Sequence, residues 1–177
     1  MNDTNVEAER ILRARAKVLA IPTRRSMPAG AMLELLEFRL AAERYALETR
    51  HVQDVQPLRD LTPLPCTPAF VLGIVNVRGR ILPVLDLKKF FDLPEHGLTD
   101  LHRIILVQGN DLEFGLLADV IVGMRSVMAD SLQPSLPTLT GIRAEYLKGI
   151  GEDRLVVLEM ERIFADQKII VHQEVES

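Results

Sequence analysis

The chain lacks most of what reactive and membrane-embedded proteins carry. Among its 177 residues there is no tryptophan, aromatics amount to 5%, and Cys66 is the single cysteine. One cysteine excludes an internal disulfide and fits a reducing compartment. With no histidine or cationic cluster beside it in sequence, Cys66 reads as a small, half-buried apolar residue next to Pro65. No apolar run reaches the roughly 18 residues of a membrane span. The amino terminus is polar and acidic before it turns basic, unlike a secretory signal, so a cytoplasmic location is expected. The formal net charge is −4. Residues 1–30 hold six basic side chains (Arg10, Arg13, Arg15, Lys17, Arg24, Arg25) against three acids, which leaves a formal −7 on the remainder. An acidic body with few stacking aromatics argues against nucleic acid as partner, because phosphate binding is driven by lysine and arginine.

Catalytic constellations are missing as well. His51, His96, His102 and His172 lie far apart without Cys, Asp or Glu at metal-ligand spacing, so no metal site is expected. Gly149-Ile150-Gly151 lacks the third glycine and following helix of a dinucleotide fingerprint and reads as a turn. Ser126, Ser131 and Ser135 lie in a polar, proline-punctuated region without the glycines of a nucleophile elbow. Asp111 with Glu113, and Glu159 with Glu161, read as solvated charges. Neither an enzyme nor a cofactor is expected.

What is present is a succession of short strands. Thr4 and Glu7 have capping-box spacing, and Ile11, Leu12, Val18 and Leu19 recur on one helical face until Pro22. Residues 4–21 are therefore expected as an amphipathic helix, either docking on a partner or strapped over a lobe, within a basic extension and linker spanning 1–30. A main domain over 31–170 and a tail at 171–177 complete the division. Met32 to Leu40 and Tyr45 onward form a hairpin turning at Ala42 to Arg44, with His51 to Val55 extended. Pro57, Pro63, Pro65 and Pro68 mark a loop. Phe70 to Val77 and Arg80 to Leu87 pair, and Asp86 caps a short helix over 87–91. Arg103 to Gln108 and Glu113 to Val122 flank the turn Gly109-Asn110-Asp111. Tyr146 to Ile150 and Arg154 to Leu158 flank a last turn, and a helix over 159–164 closes the chain. Short strands this closely spaced point to a mainly β fold of small antiparallel barrels.

The most informative stretch is Gly73-Ile74-Val75-Asn76-Val77-Arg78-Gly79-Arg80-Ile81-Leu82-Pro83-Val84-Leu85-Asp86-Leu87. Asn76 tolerates left-handed backbone and can hold the turn with its side-chain amide, and Gly79 supplies positive φ. Arg78 is held out between them, its planar five-donor fork suited to a carboxylate or to backbone carbonyls. It binds a partner, pairs within the chain to an acid such as Asp54 or Asp119, or shares itself between the two.

The run from Pro65 to Leu87 resembles the signature of the CheW family of chemotaxis coupling proteins. Tyr45-Ala46-Leu47, Val52-Gln53-Asp54-Val55, Phe114 to Val120 and Glu145 to Gly151 extend the resemblance, in order, over about residues 32–165. It implies two SH3-like five-stranded barrel lobes around a shared apolar core. It also implies a non-enzymatic adaptor joining the cytoplasmic tips of methyl-accepting chemoreceptors to the regulatory domain of a CheA-type histidine kinase. Carried over by position, a receptor-facing groove would include Val52, Asp54, Gly73, Asn76, Arg78 and Ile104, with Gly79, Pro83 and Asp86 shaping the turn and its flanks. Kinase-contact positions have no equally sharp motif. Ring assembly with other CheW-like adaptors and recruitment to membrane-associated arrays, without direct membrane insertion, would follow. Asp54 is shorter than the glutamate common in the family, and the basic extension lies outside its pattern. The competing readings are a small β-barrel ligand-binding module or enzyme, and an adaptor-only scaffold in a non-flagellar chemosensory system.

Overall fold

A computed structural model describes residues 28–95, 97–99, 101–134 and 142–170. The expected helix over 4–21, the tail at 171–177, Ser135, His96 and His172 lie outside them. The described strands are β1 (Met32–Leu40), β2 (Glu43–Glu48), β3 (Val52–Pro57), β4 (Val71–Val77), β5 (Arg80–Leu85), β6 (Arg103–Gly109), β7 (Leu112–Ala118), β8 (Val120–Met128), β9 (Leu147–Ile150) and β10 (Val156–Leu158). The short helices are α1 (Leu87–Phe90), α2 (Met160–Phe164) and α3 (Gln167–Ile170).

The strands form two five-stranded sheets, ordered β8-β1-β2-β10-β9 and β3-β6-β7-β5-β4. The chain starts one lobe with β1 and β2, builds the other from β3 to β7, and returns to finish the first with β8 to β10. Each sheet curls closed through a short bridge. Gln133 and Ile150 exchange backbone hydrogen bonds of 2.9 and 2.8 Å, and Thr62 and Ile74 exchange two of 2.9 Å. Closure removes the outer edges that would otherwise invite foreign strands.

Three apolar clusters follow from this route. Leu33, Leu35, Ala46, Leu155 and Val157 fill the first barrel, and Val75, Val77, Leu82, Val84, Ile104, Leu106 and Leu117 fill the second. The largest lies between them, where Phe38, Tyr45 and Leu47 of one lobe meet Ile105, Val107 and Phe114 of the other, with Phe90, Phe91, Tyr146 and Phe164 at its margin. Strands buried on both faces explain runs such as Ile104-Ile105-Leu106-Val107, which alternate between two cores and show no polar side.

Several boundaries depart from the sequence reading. The first hairpin turns at Ala41–Ala42, because the Asp119 carboxylate accepts a 2.6 Å hydrogen bond from the Ala41 N–H and holds Ala41 at φ 55°. His51 is not extended but buried in a 3-10 turn spanning Thr49–His51. The strand expected over 113–122 breaks at Asp119 into β7 and β8, which belong to different lobes. Ser126 lies within β8, paired to β1, where a polar loop was expected. Cys66 is exposed, at φ 61° in the proline-rich loop.

Candidate functional site

The β4–β5 hairpin is built as its sequence demands. Val75 and Val77 point into the second barrel while Asn76 between them is exposed. Val77 pairs with Arg80 across the two-residue turn Arg78-Gly79, and both turn residues have positive φ (52° and 84°). Two consecutive positive φ values give the type I′ geometry whose twist matches a hairpin. Asn76 does not itself take up the left-handed backbone. It stays in the strand, and its Oδ1 accepts a 2.9 Å hydrogen bond from the Gly79 N–H. The strained residue is Arg78, where left-handed backbone costs an L-residue roughly 1 kcal/mol relative to glycine.

Arg78 reaches Asp54 on β3, Nη2 to Oδ2 at 3.3 Å, and its side chain is 79% exposed. Asp119, the alternative acid, is engaged elsewhere by Lys88 and His102. Asp54 also accepts from Gln56 Nε2 and from the Val55 N–H, both at 2.8 Å. The Gln56 bond first, then the Val55 bond, hold its carboxyl below the usual value against the opposing effect of desolvation, and the Arg78 charge adds to them. Asp54 is thus an ionised, preorganised acceptor, and Arg78 is tethered to it loosely, because an exposed pair of this kind contributes about 0.2–1 kcal/mol. By contrast Arg80, the first residue after the turn, is bound to Glu113 on β7 at 2.5 Å, which anchors the hairpin beside its tip. Ile81, exposed and directly opposite Asn76, adds an apolar neighbour that the sequence reading missed.

The six groove residues do not share one surface. Asp54, Asn76 and Arg78 present polar groups around the hairpin tip. Ile104 is only 2% exposed and packs in the second barrel beneath Val75 and Val77, so it supports the hairpin from within and offers a partner no side chain. Val52 packs against the core between the lobes, on the opposite face from Asp54. A bulge at Gln53 separates them: Val52 pairs with Val107 and Asp54 with the next residue along, Leu106.

Gly73 is a backbone requirement. At φ 151°, its place for a Cβ lies 2.2 Å from the Thr62 carbonyl oxygen, the strand segment that closes the barrel. Gly73→Ala is expected to lower unfolding stability by roughly 3 kcal/mol, read from urea midpoints, because either the bridge to Ile74 opens or the hairpin shifts. Pro83 is accommodated opposite Ile74, ahead of the parallel pairing with β7 that begins at Val84. Asp86 caps α1, its Oδ1 accepting from the Lys88 N–H at 2.9 Å, while burial pushes its carboxyl up. Among the described residues no group of three or more His, Cys, Asp or Glu is placed to hold a metal ion, and no helix is long and apolar enough to cross a membrane.

A model of the CheW-like domain matches residues 34–168, which takes in both lobes, the hairpin and its Asp54 partner. The chain belongs to the CheW-like family. Its CheW-like sequence is 31% identical over 143 residues to the chemotaxis protein CheW of Treponema pallidum, covering 77% of this chain and 84% of that protein. It is 34% identical over 118 residues to protein FrzA of Myxococcus xanthus, covering 66% and 72%. The CheW-like fold superposes on the crystal structure of the scaffolding protein TtCheW from Thermoanaerobacter tengcongensis with a TM-score of 0.69 at 29% identity, covering 81% of this chain and 94% of that one. The two closed five-stranded lobes are the SH3-like pair expected of a CheW-like protein.

Proposed function

We propose that this CheW-like protein is a non-enzymatic adaptor that couples the cytoplasmic tips of chemoreceptors to a CheA-type histidine kinase, with Asp54, Asn76 and Arg78 forming its receptor contact. The observation that carries the reading is Arg78 itself, an exposed guanidinium held at φ 52° on a braced hairpin and only loosely paired. A receptor helix hairpin offers carboxylates to that fork, and Asp54 offers a fixed acceptor beside it. The mechanism is positional. Holding kinase and receptor on one rigid body replaces dilute encounter with a high effective concentration, and the core shared by the two lobes transmits receptor geometry to the kinase. The adaptor works on the cytoplasmic side of receptor arrays, in rings with other CheW-like copies, and needs no cofactor. The test is sedimentation of receptor-bearing membranes with a purified CheA-type kinase. The kinase is expected in the pellet only when this protein is added, with its autophosphorylation then responding to receptor ligand. Kinase retention that ignores the protein would refute the coupling role.

A further inference from the structure

The chain first crosses from one lobe to the other at the 3-10 turn Thr49–His51, between β2 and β3. His51 ends that turn. It is 8% exposed, and its Nε2 has no hydrogen-bond partner among the described residues. Its ring lies against Phe164 of α2, with centroids 5.5 Å apart and planes at 56°. Phe164 has no room to retreat. It packs on Phe114 at 5.3 Å and on the backbone of Gly109, where a Cβ would stand 2.5 Å from the phenyl ring. The imidazole is therefore pressed against a fixed aromatic wall that belongs to another element.

The charged groups around the ring offer Nε2 no acceptor. On its own turn, Arg50 Nε donates to Glu48 Oε2 at 2.8 Å, and Arg50 Nη2 reaches Glu161 Oε1 on α2 at 3.2 Å. Lys148 on β9 takes the other oxygen of Glu48 at 2.6 Å. From β1, the Glu34 carbonyl accepts from Thr49 Oγ1 at 3.2 Å. Burial works first against a charge on the ring, and Arg50 next. Glu48, a hydrogen bond to the Gln108 backbone on β6 and Glu161 oppose them without prevailing, so the imidazole is held below its ordinary value of 6.5. Neutral, the ring can leave Nε2 as a lone pair. Protonated, it carries N–H on both nitrogens, one of them buried without an acceptor, and adds a positive charge beside Arg50. The stabilisation that His51 gives the fold is therefore complete above about pH 6.5 and is lost as pH falls from there toward the lower, folded value.

We propose that His51 is an acid-sensitive latch between the first crossover and α2: on protonation the imidazolium leaves the Phe164 wall, and the crossover and α2 loosen together. The Arg50–Glu161 pair is exposed and too weak to hold the two elements alone. The crossover runs straight into β3, so the latch acts on the element that carries Asp54, whatever partner that element serves. The test is a pair of measurements on the full-length chain. The His51 ring, followed by its Cε1 proton in NMR spectra, is expected to titrate below 6.5. The amides of Ile163 and Ala165, bonded to the carbonyls of Glu159 and Glu161, report on α2. Their protection from hydrogen exchange, corrected for the intrinsic effect of pH, is expected to fall several-fold in the wild type between about pH 7.5 and about pH 5.5. It should stay level in His51→Phe, which keeps an aromatic ring without the titrating nitrogens. His51→Gln, neutral and polar, gives the same comparison should the larger ring disturb the turn. Both variants leave His102 in place facing Asp119, so its titration cancels in the comparison. A His51 ring that titrates at or above its ordinary value overturns the proposal, and so does α2 protection that is constant in the wild type or falls equally in the variants.

Discussion

Arg78→Glu is expected to abolish sedimentation with receptor membranes while leaving the fold intact. The native contact with Asp54 is exposed and long, so its loss, together with the new repulsion between two carboxylates, costs the fold about 1 kcal/mol at most. At a partner surface the same change turns a charge-assisted fork into a like-charge clash, which costs roughly 2–5 kcal/mol, or about 30-fold to several thousand-fold in affinity. Arg78→Gly separates the two effects by sign. Glycine relieves the left-handed backbone at φ 52°, so thermal stability should rise by the equivalent of roughly 1 kcal/mol while receptor binding falls. A gain in stability with a loss of binding is the signature of a strained residue kept for its side chain. Undiminished receptor binding by folded Arg78→Glu protein would remove the hairpin tip from the interface.

The sequence made that hairpin legible because its information is local. Asn76, Gly79 and the alternation of Val75 and Val77 fix turn, register and buried face within a few residues of one another. The placement of the other residues expected with it was less legible, for reasons that are equally specific. Val52 and Asp54 are two apart and would share a face in a regular strand, and nothing local announces the bulge at Gln53 that sends one to the core and the other to the hairpin. Ile104 lies in a run buried on both sides, where periodicity carries no signal for direction. The break at Asp119 was hidden inside a nearly continuous apolar run from Phe114 to Val122. Its cause is distant: the groups that seize the carboxylate come from the first hairpin turn, from α1 and from the segment before β6. The continuation of β8 to Met128, with Met124 and Met128 exposed, was not legible either, since its later residues are set in the strand by pairing with the distant β1.

Asp119 carries the second large expectation, because it is the residue at which the chain passes from one lobe to the other. Its carboxylate takes Lys88 Nζ at 2.5 Å and His102 Nε2 at 2.9 Å on one oxygen, and the Ala41 N–H at 2.6 Å on the other. His102 Nδ1 sits 2.8 Å from the Thr99 N–H and 2.9 Å from the Thr99 carbonyl oxygen, and these contacts orient the ring so that Nε2 faces Asp119. Lys88 is buried, so Asp119→Ala strands an ammonium without its counter-charge and orphans the turn amide as well. Removal of one partner from a buried pair costs about 3–5 kcal/mol. Lys88→Met should cost less, since it leaves the carboxylate with His102 and Ala41 and fills the site with apolar volume. The pH dependence has a defined sign. Burial alone would raise the Asp119 carboxyl, but the Lys88 and Ala41 hydrogen bonds and the Lys88 charge hold it below its usual value. The stabilisation is therefore complete above the unfolded value of about 4 and is lost as pH falls through the lower, folded value. Urea midpoints for the wild type and Asp119→Asn should stand well apart at neutral pH and converge below about pH 4. A constant gap across that range, or a near-native midpoint for Asp119→Ala, would mean that the apolar core between the lobes holds the crossover without the carboxylate.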